Sequence, residues 1–201
     1  MYASRRIFVS IGAAFVVAVA ALGLWYYEHQ NSAAVAAGVI AGPSAKYTST
    51  QFRYAFSYPS KYQAHELEPE FVTIGQMQNG SVEGVANVAV LHAQKSEPLP
   101  SSEAFIRLVA GLACSQNSAG SAVNCTTVAQ STPFSTQSGL SGEALYFNSN
   151  AGKRGPFYAF DISSTIPNEY AVLLVYPPAQ LAQNDADRTL LQNIAQSVQL
   201  Q

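Results

Sequence analysis

The sequence predicts an α+β domain, an antiparallel sheet of about seven strands with a main helix on each face, preceded by an N-terminal transmembrane helix. Three observations predict it. Residues 7–27 are twenty-one positions without a charge, about 30 Å as a helix, which is the thickness of a bilayer core. Beyond residue 47, short runs rich in aromatic and β-branched residues are separated by Gly, Pro and Asn. Two further segments repeat apolar residues at helical spacing.

Arg5 and Arg6 precede the apolar run, and Trp25, Tyr26, Tyr27 and Glu28 close it. Arginines stay on the cytoplasmic side and interfacial aromatics mark the opposite boundary. The expected organisation is a cytoplasmic stub 1–6, a transmembrane signal-anchor 7–27, a low-charge linker 28–46 and a domain 47–201 on the extracytoplasmic (periplasmic or outer) side of the cell membrane. A cleaved signal has an apolar core of roughly 7 to 15 residues with its cleavage site close behind. Here the run is longer, and the small residues from Ala33 to Gly38 lie past the aromatic cluster, which favours an anchor over a cleaved signal. No cysteine follows the run closely, against a lipoprotein, and no acidic residue lies in it, against a pilin helix.

Phe52, Tyr54, Phe56 and Tyr58 alternate with Arg53, Ala55 and Ser57, a period of two that predicts a strand with one buried aromatic face, ended by Pro59. Extended runs at 71–77 and 85–93, separated by Asn79-Gly80 and Gly84, read as a hairpin. Pro98 and Pro100 break the pattern and Ser101-Ser102-Glu103 offers an N-cap. Phe105, Leu108, Val109 and Leu112 then fall at i, i+3, i+4 and i+7, which predicts a helix to about Ala113 with the cysteine loop as its exit. Four strands follow, at 125–131, 142–148, 156–163 and 170–176, with Lys153-Arg154 in the turn between the second and third. The last run, Tyr170 to Tyr176, lacks alternation, so both of its faces should be covered. Pro177-Pro178 ends it, and a second helix capped near Asn184 or Asp185 presents Leu190, Leu191, Ile194 and Val198.

The stretch Phe52-Arg53-Tyr54-Ala55-Phe56-Ser57-Tyr58-Pro59-Ser60-Lys61-Tyr62 is similar to the opening of PsbP-like domains (the Mog/PsbP fold), where an aromatic strand ends in Tyr-Pro and a short polar step leads to another aromatic. The strand Tyr170 to Tyr176, followed by Ile194 to Leu200, resembles their last strand and final helix. The resemblance spans about residues 50–200. It implies an α/β/α sandwich and a family of extrinsic subunits of membrane complexes, bacterial extracytoplasmic domains and protein-binding modules, with no shared catalytic set.

Of ten Lys and Arg, two stand before the apolar run, which leaves eight against twelve Asp and Glu. That balance argues against nucleic acid as a partner. Cys114 and Cys125, split by a polar loop, are most simply a disulfide in an oxidising compartment. A redox pair, a zinc site and two buried thiols remain as alternatives. His65, Glu66, Glu68 and Glu70 form the densest ionisable cluster; if extended, it puts three carboxylates on one side, a weak divalent-cation site or an ordinary polar edge. His92 could approach His65 across a hairpin, and two histidines alone are a poor zinc site. Gly139-Leu140-Ser141-Gly142-Glu143 has half of a nucleophile elbow, with Glu143 where the second glycine belongs. Lys153 and Arg154 are candidate partner contacts, or simply a solvated turn. The aromatics could line a pocket for a lipid or another small apolar ligand instead of filling a core. The expectation is a membrane-anchored module without catalytic activity, metal or cofactor, serving an envelope protein partner; the alternative is a small-ligand or lipid-binding domain.

Overall fold

The aromatic alternation at Phe52 to Tyr58 builds a strand, but in a sheet of its own. The computed structural model describes residues 44–95, 101–115, 125–150, 152–178 and 185–201. The described residues other than the hairpin tip 79–81 belong to one compact unit. The expected stub, anchor and most of the linker, Pro98 to Pro100, the loop between the cysteines and the Asn184 cap lie outside the described residues. Among those described, no helix is long and apolar enough to cross a membrane.

In the small sheet β2 (Tyr54–Pro59) is central, with β1 (Ser44–Ser49) antiparallel on one side and the two-residue β10 (Gln199–Leu200) on the other. Two boundaries are thereby corrected. The domain's first strand opens at Ser44, inside the stretch read as linker, and the chain end read as helix is a strand. The large sheet contains β3 (Gln63–Glu68), β4 (Phe71–Gln78), β5 (Ser81–Gln94), β6 (Cys125–Ser135), β7 (Ser141–Ser149), β8 (Gly152–Asp161) and β9 (Glu169–Tyr176), in the order β3-β4-β5-β9-β8-β7-β6. It has seven strands, but β3 takes the place that the sequence had assigned to β2. The β4–β5 hairpin turns through Asn79 and Gly80, both at positive φ, as a tight two-residue turn requires.

β9 lies at the centre, and its side chains divide strictly by parity. Ala171, Leu173 and Val175 join a core with the small sheet and the second helix, while Val172, Leu174 and Tyr176 join one with the first helix. The non-alternating run is therefore buried on both faces, as its composition predicts. The helices α1 (Ser102–Ser115) and α2 (Asp185–Gln196) sit on opposite faces of the large sheet, α2 beside the small sheet. The layers are thus helix, seven-stranded sheet, then small sheet with helix.

Ser101 caps α1, its Oγ accepting from Ala104 N at 3.2 Å. The helix buries Phe105, Ile106, Val109, Ala110 and Cys114. Leu108, expected on the buried stripe, is 42% exposed. On α2 Leu191 and Ile194 face the core, with Leu190 at its margin, and Val198 joins that core from just past the helix end.

Candidate functional site

β3 is an edge strand, and its pairing with β4 slips between Glu66 and Glu68. That bulge, with Glu70 beyond the strand end, breaks the expected one-sided row of Glu66, Glu68 and Glu70. Glu66 instead meets the small sheet: Tyr47 of β1 donates its hydroxyl to Glu66 Oε2 at 2.6 Å. The Tyr47 and Tyr54 ring centroids are 6.1 Å apart. Tyr54 is wholly buried and its hydroxyl has no hydrogen-bond partner. Burial pushes the Tyr47 pKa well above the ordinary phenol value, and the Glu66 bond adds to it. For Tyr54 burial again leads, followed by the negative charges of Glu66 and then Glu70. Sequence reasoning missed both tyrosines as companions of this acidic edge. Tyr47 stood at the presumed linker–domain boundary and was assigned to no strand, though Ala45, Tyr47 and Ser49 buried against Lys46 and Thr48 exposed form a strand alternation.

His65 pairs with Thr73 in the β3–β4 register, and the Thr73 hydroxyl bonds Asn87 Oδ1 at 3.1 Å. Its Nε2 is buried without a partner, and burial lowers its pKa. The expected approach of His65 to His92 does not form. β4 stands between their strands, and the row through His65 reaches β5 at Asn87, five positions before His92. His92 Nδ1 lies 2.5 Å from Glu169 Oε2, with its ring 5.9 Å from Phe52. Among the described residues, no group of three or more His, Cys, Asp and Glu is arranged to hold a metal ion.

Beside Glu169 a hollow of about 400 Å³ is lined by Gln94, Lys95, Pro167, Asn168 and Glu169. Lys95 reaches over the Tyr170 ring, 5.6 Å from its centroid. Nearby, Asp161 ties the start of α1 to the sheet, accepting from Ser102 Oγ and from Ser163 N and Oγ at 2.9 and 2.6 Å. Burial works against its charge, but the hydroxyl bonds from Ser102 and Ser163 and the charge of Lys95 hold its pKa below the usual carboxylate value.

Lys153 and Arg154 are not on a turn. The β7–β8 pairing runs to Ser149 opposite Gly152, which puts both residues on β8. Lys153 lies along the sheet, its Nζ 2.7 Å from Gln130 Oε1 and 4.7 Å from the Tyr146 ring centroid. Arg154 is half-buried, which lowers its pKa. Cys114 of α1 and Cys125 at the start of β6 are joined as a disulfide, with Cα atoms 5.9 Å apart. Ser115 Oγ accepts from Cys125 N at 3.2 Å and donates to Gly111 O at 2.9 Å. The stretch 139–143 leads into β7, with Glu143 accepting from Ser131 Oγ at 2.6 Å, so Ser141 opens a strand and not an elbow before a helix.

The aromatics pack against one another. Tyr47 and Phe56 have centroids 5.3 Å apart, Phe56 and Tyr58 6.1 Å, and Phe134 and Tyr158 4.5 Å, all within the core between the two sheets. These spacings are those of favourable tilted ring pairs.

No family model matches this chain, and no curated protein matches it. Among solved structures it is similar to cyanobacterial PsbP (CyanoP) from Synechocystis sp. PCC 6803, at 13% identity and a TM-score of 0.44, over 82% of this chain and 95% of that one. It is also similar to a crystal structure from Bacteroides thetaiotaomicron, at 8% identity and a TM-score of 0.32, over 78% of this chain and 48% of that one. Both superpositions are too loose to assign a family, so the fold stands on its own strand order and its two cores.

Proposed function

We propose that this protein is a non-enzymatic interaction or assembly module, held at the cell membrane by residues 7–27, whose extracytoplasmic domain docks on a protein partner of the envelope. The observation that carries the reading is the use of the aromatic residues. Rings that could have lined an apolar cavity are buried against each other between the sheets. The hollow beside Glu169 is lined by polar and charged groups together with one proline. Recognition therefore falls to the surface. The sequence resemblance to PsbP-like domains, in which extrinsic subunits dock on membrane complexes, supports the same reading.

Crosslinking in cells followed by purification of the full-length chain and native mass spectrometry tests it. The expected result is a discrete protein partner at fixed stoichiometry, found in the membrane fraction and released from that fraction by deletion of residues 1–27. A monomer that carries a co-purified small apolar molecule would overturn the reading in favour of ligand binding.

A further inference from the structure

Only one asparagine in the chain is followed directly by glycine, in the pair Asn79-Gly80. That pair forms the tip of the β4–β5 hairpin, with φ of 51° at Asn79 and 81° at Gly80, and it is exposed together with Gln78 and Ser81 on either side. A Cβ added to Gly80 would meet no heavy atom within 4 Å. The hairpin favours these two residues because both central positions of its turn need positive φ. The same two residues bring a reaction with them.

Asparagine is a thermolabile residue, because the backbone nitrogen of the next residue can attack its side-chain carbonyl. That nitrogen bonds to Cγ and gives up its proton, ammonia leaves, and a five-membered succinimide closes. Water then opens the ring at one of its two carbonyls. One opening gives aspartate, and the other gives isoaspartate, in which the backbone runs through the former side chain. The reaction needs an uncrowded attacking nitrogen, an N–H that is not tied up in a hydrogen bond, and water. Gly80 has no Cβ to crowd its nitrogen. A two-residue turn is closed by the residues that flank it, so the ladder does not use the Gly80 N–H. Exposure supplies the water.

Other asparagines lack this combination. Asn168 is also exposed and has a φ of 64°, but Glu169 follows it. The Glu169 N–H donates to Ile166 O at 3.4 Å, and its carboxylate is held by His92. Asn148 lies within β7, paired with Thr127 of β6 and Lys153 of β8, so two neighbouring strands fix its backbone.

We propose that Asn79 is a self-modifying site, deamidated through the Gly80 nitrogen to isoaspartate and aspartate with the release of ammonia. Either product places a new carboxylate at the hairpin tip. Isoaspartate also adds a carbon to the backbone of a turn that has room for two residues, so the tip loosens. The change stops further down the hairpin. There β4 is buried from Val72 to Gly75, and Gly75 lies so close to β5 that a Cβ on it would meet Glu83 O at 2.4 Å. The tip is altered with age while the sheet persists. This inference does not depend on the interaction reading above.

The test ages the full chain in neutral detergent micelles for several weeks at mildly alkaline pH in water enriched in heavy oxygen. Peptides are then mapped by mass spectrometry with a fragmentation method that separates isoaspartate from aspartate. The expected result is both products at residue 79, isoaspartate in excess and each carrying heavy oxygen, with Asn148 and Asn168 intact. Near-ultraviolet circular dichroism of the aged protein stays unchanged. Gly80→Ala, which crowds the attacking nitrogen, loses nearly all of both products. An Asn79 that stays intact, or one that reacts later than Asn148 or Asn168, would overturn the proposal. Aspartate without isoaspartate would mean direct hydrolysis of the side chain and overturn the route through Gly80.

Discussion

Tyrosine hydroxyls are the residues through which this fold answers to pH. Burial raises the pKa of Tyr47, Tyr54 and Tyr158, the last to about 12, against an unfolded value of about 10. Above pH 10 the unfolded chain releases protons that the folded chain keeps, so the stabilisation is complete below pH 10 and is lost as the pH rises through the folded values. Phenolate absorbance from these residues should therefore appear together with loss of near-ultraviolet circular dichroism. A smooth titration centred near pH 10 with the fold intact would contradict the packing. Of these, Tyr54 was legible as a buried ring, because large rings alternate with small or polar residues from Phe52 to Tyr58. Tyr47 was not, because its strand neighbours are Ser, Ala, Lys and Thr, whose contrast across the two faces is weak. The acidic edge was legible as a cluster and misread as a row, since a bulge leaves no mark in the pattern of residue types.

At the level of elements, periodicity set the kind of structure more firmly than the face it presents. Helix α1 fits a stripe through Leu108, yet the sheet receives Ile106 and Ala110. The disulfide at Cys114 fixes which side of the last turn meets β6, and the buried face follows from that tether. Ile106→Ala should cost about 2 to 5 kcal/mol as a core truncation, whereas Leu108→Gln should stay within about 0.5 kcal/mol as a surface change. Urea denaturation of the two variants measures both, and equal losses would restore the stripe through Leu108. Strands β3 and β10 escaped sequence reading for different reasons. The first is polar and lies at an edge, and the second is two residues long, so a neighbouring strand defines it more than its own residues do.

Taken whole, the domain has two apolar cores that share the large sheet as their common wall, with alternate residues of β8 and β9 committed to each. A wall with both faces loaded cannot lose one side and keep the other. Heating should produce one transition, with near- and far-ultraviolet circular dichroism coincident, while two separated midpoints would mean that the cores melt independently. The small sheet adds a condition on assembly. β2, near the start of the domain, takes its second neighbour from Gln199 and Leu200, Gln201 N bonds Arg53 O, and Ser57 N bonds Ser197 Oγ across 140 positions of sequence. A chain emerging from the ribosome therefore presents the aromatic strand β2 about 140 residues before the segment that covers its second edge, and that edge stays open to other strands in the interval.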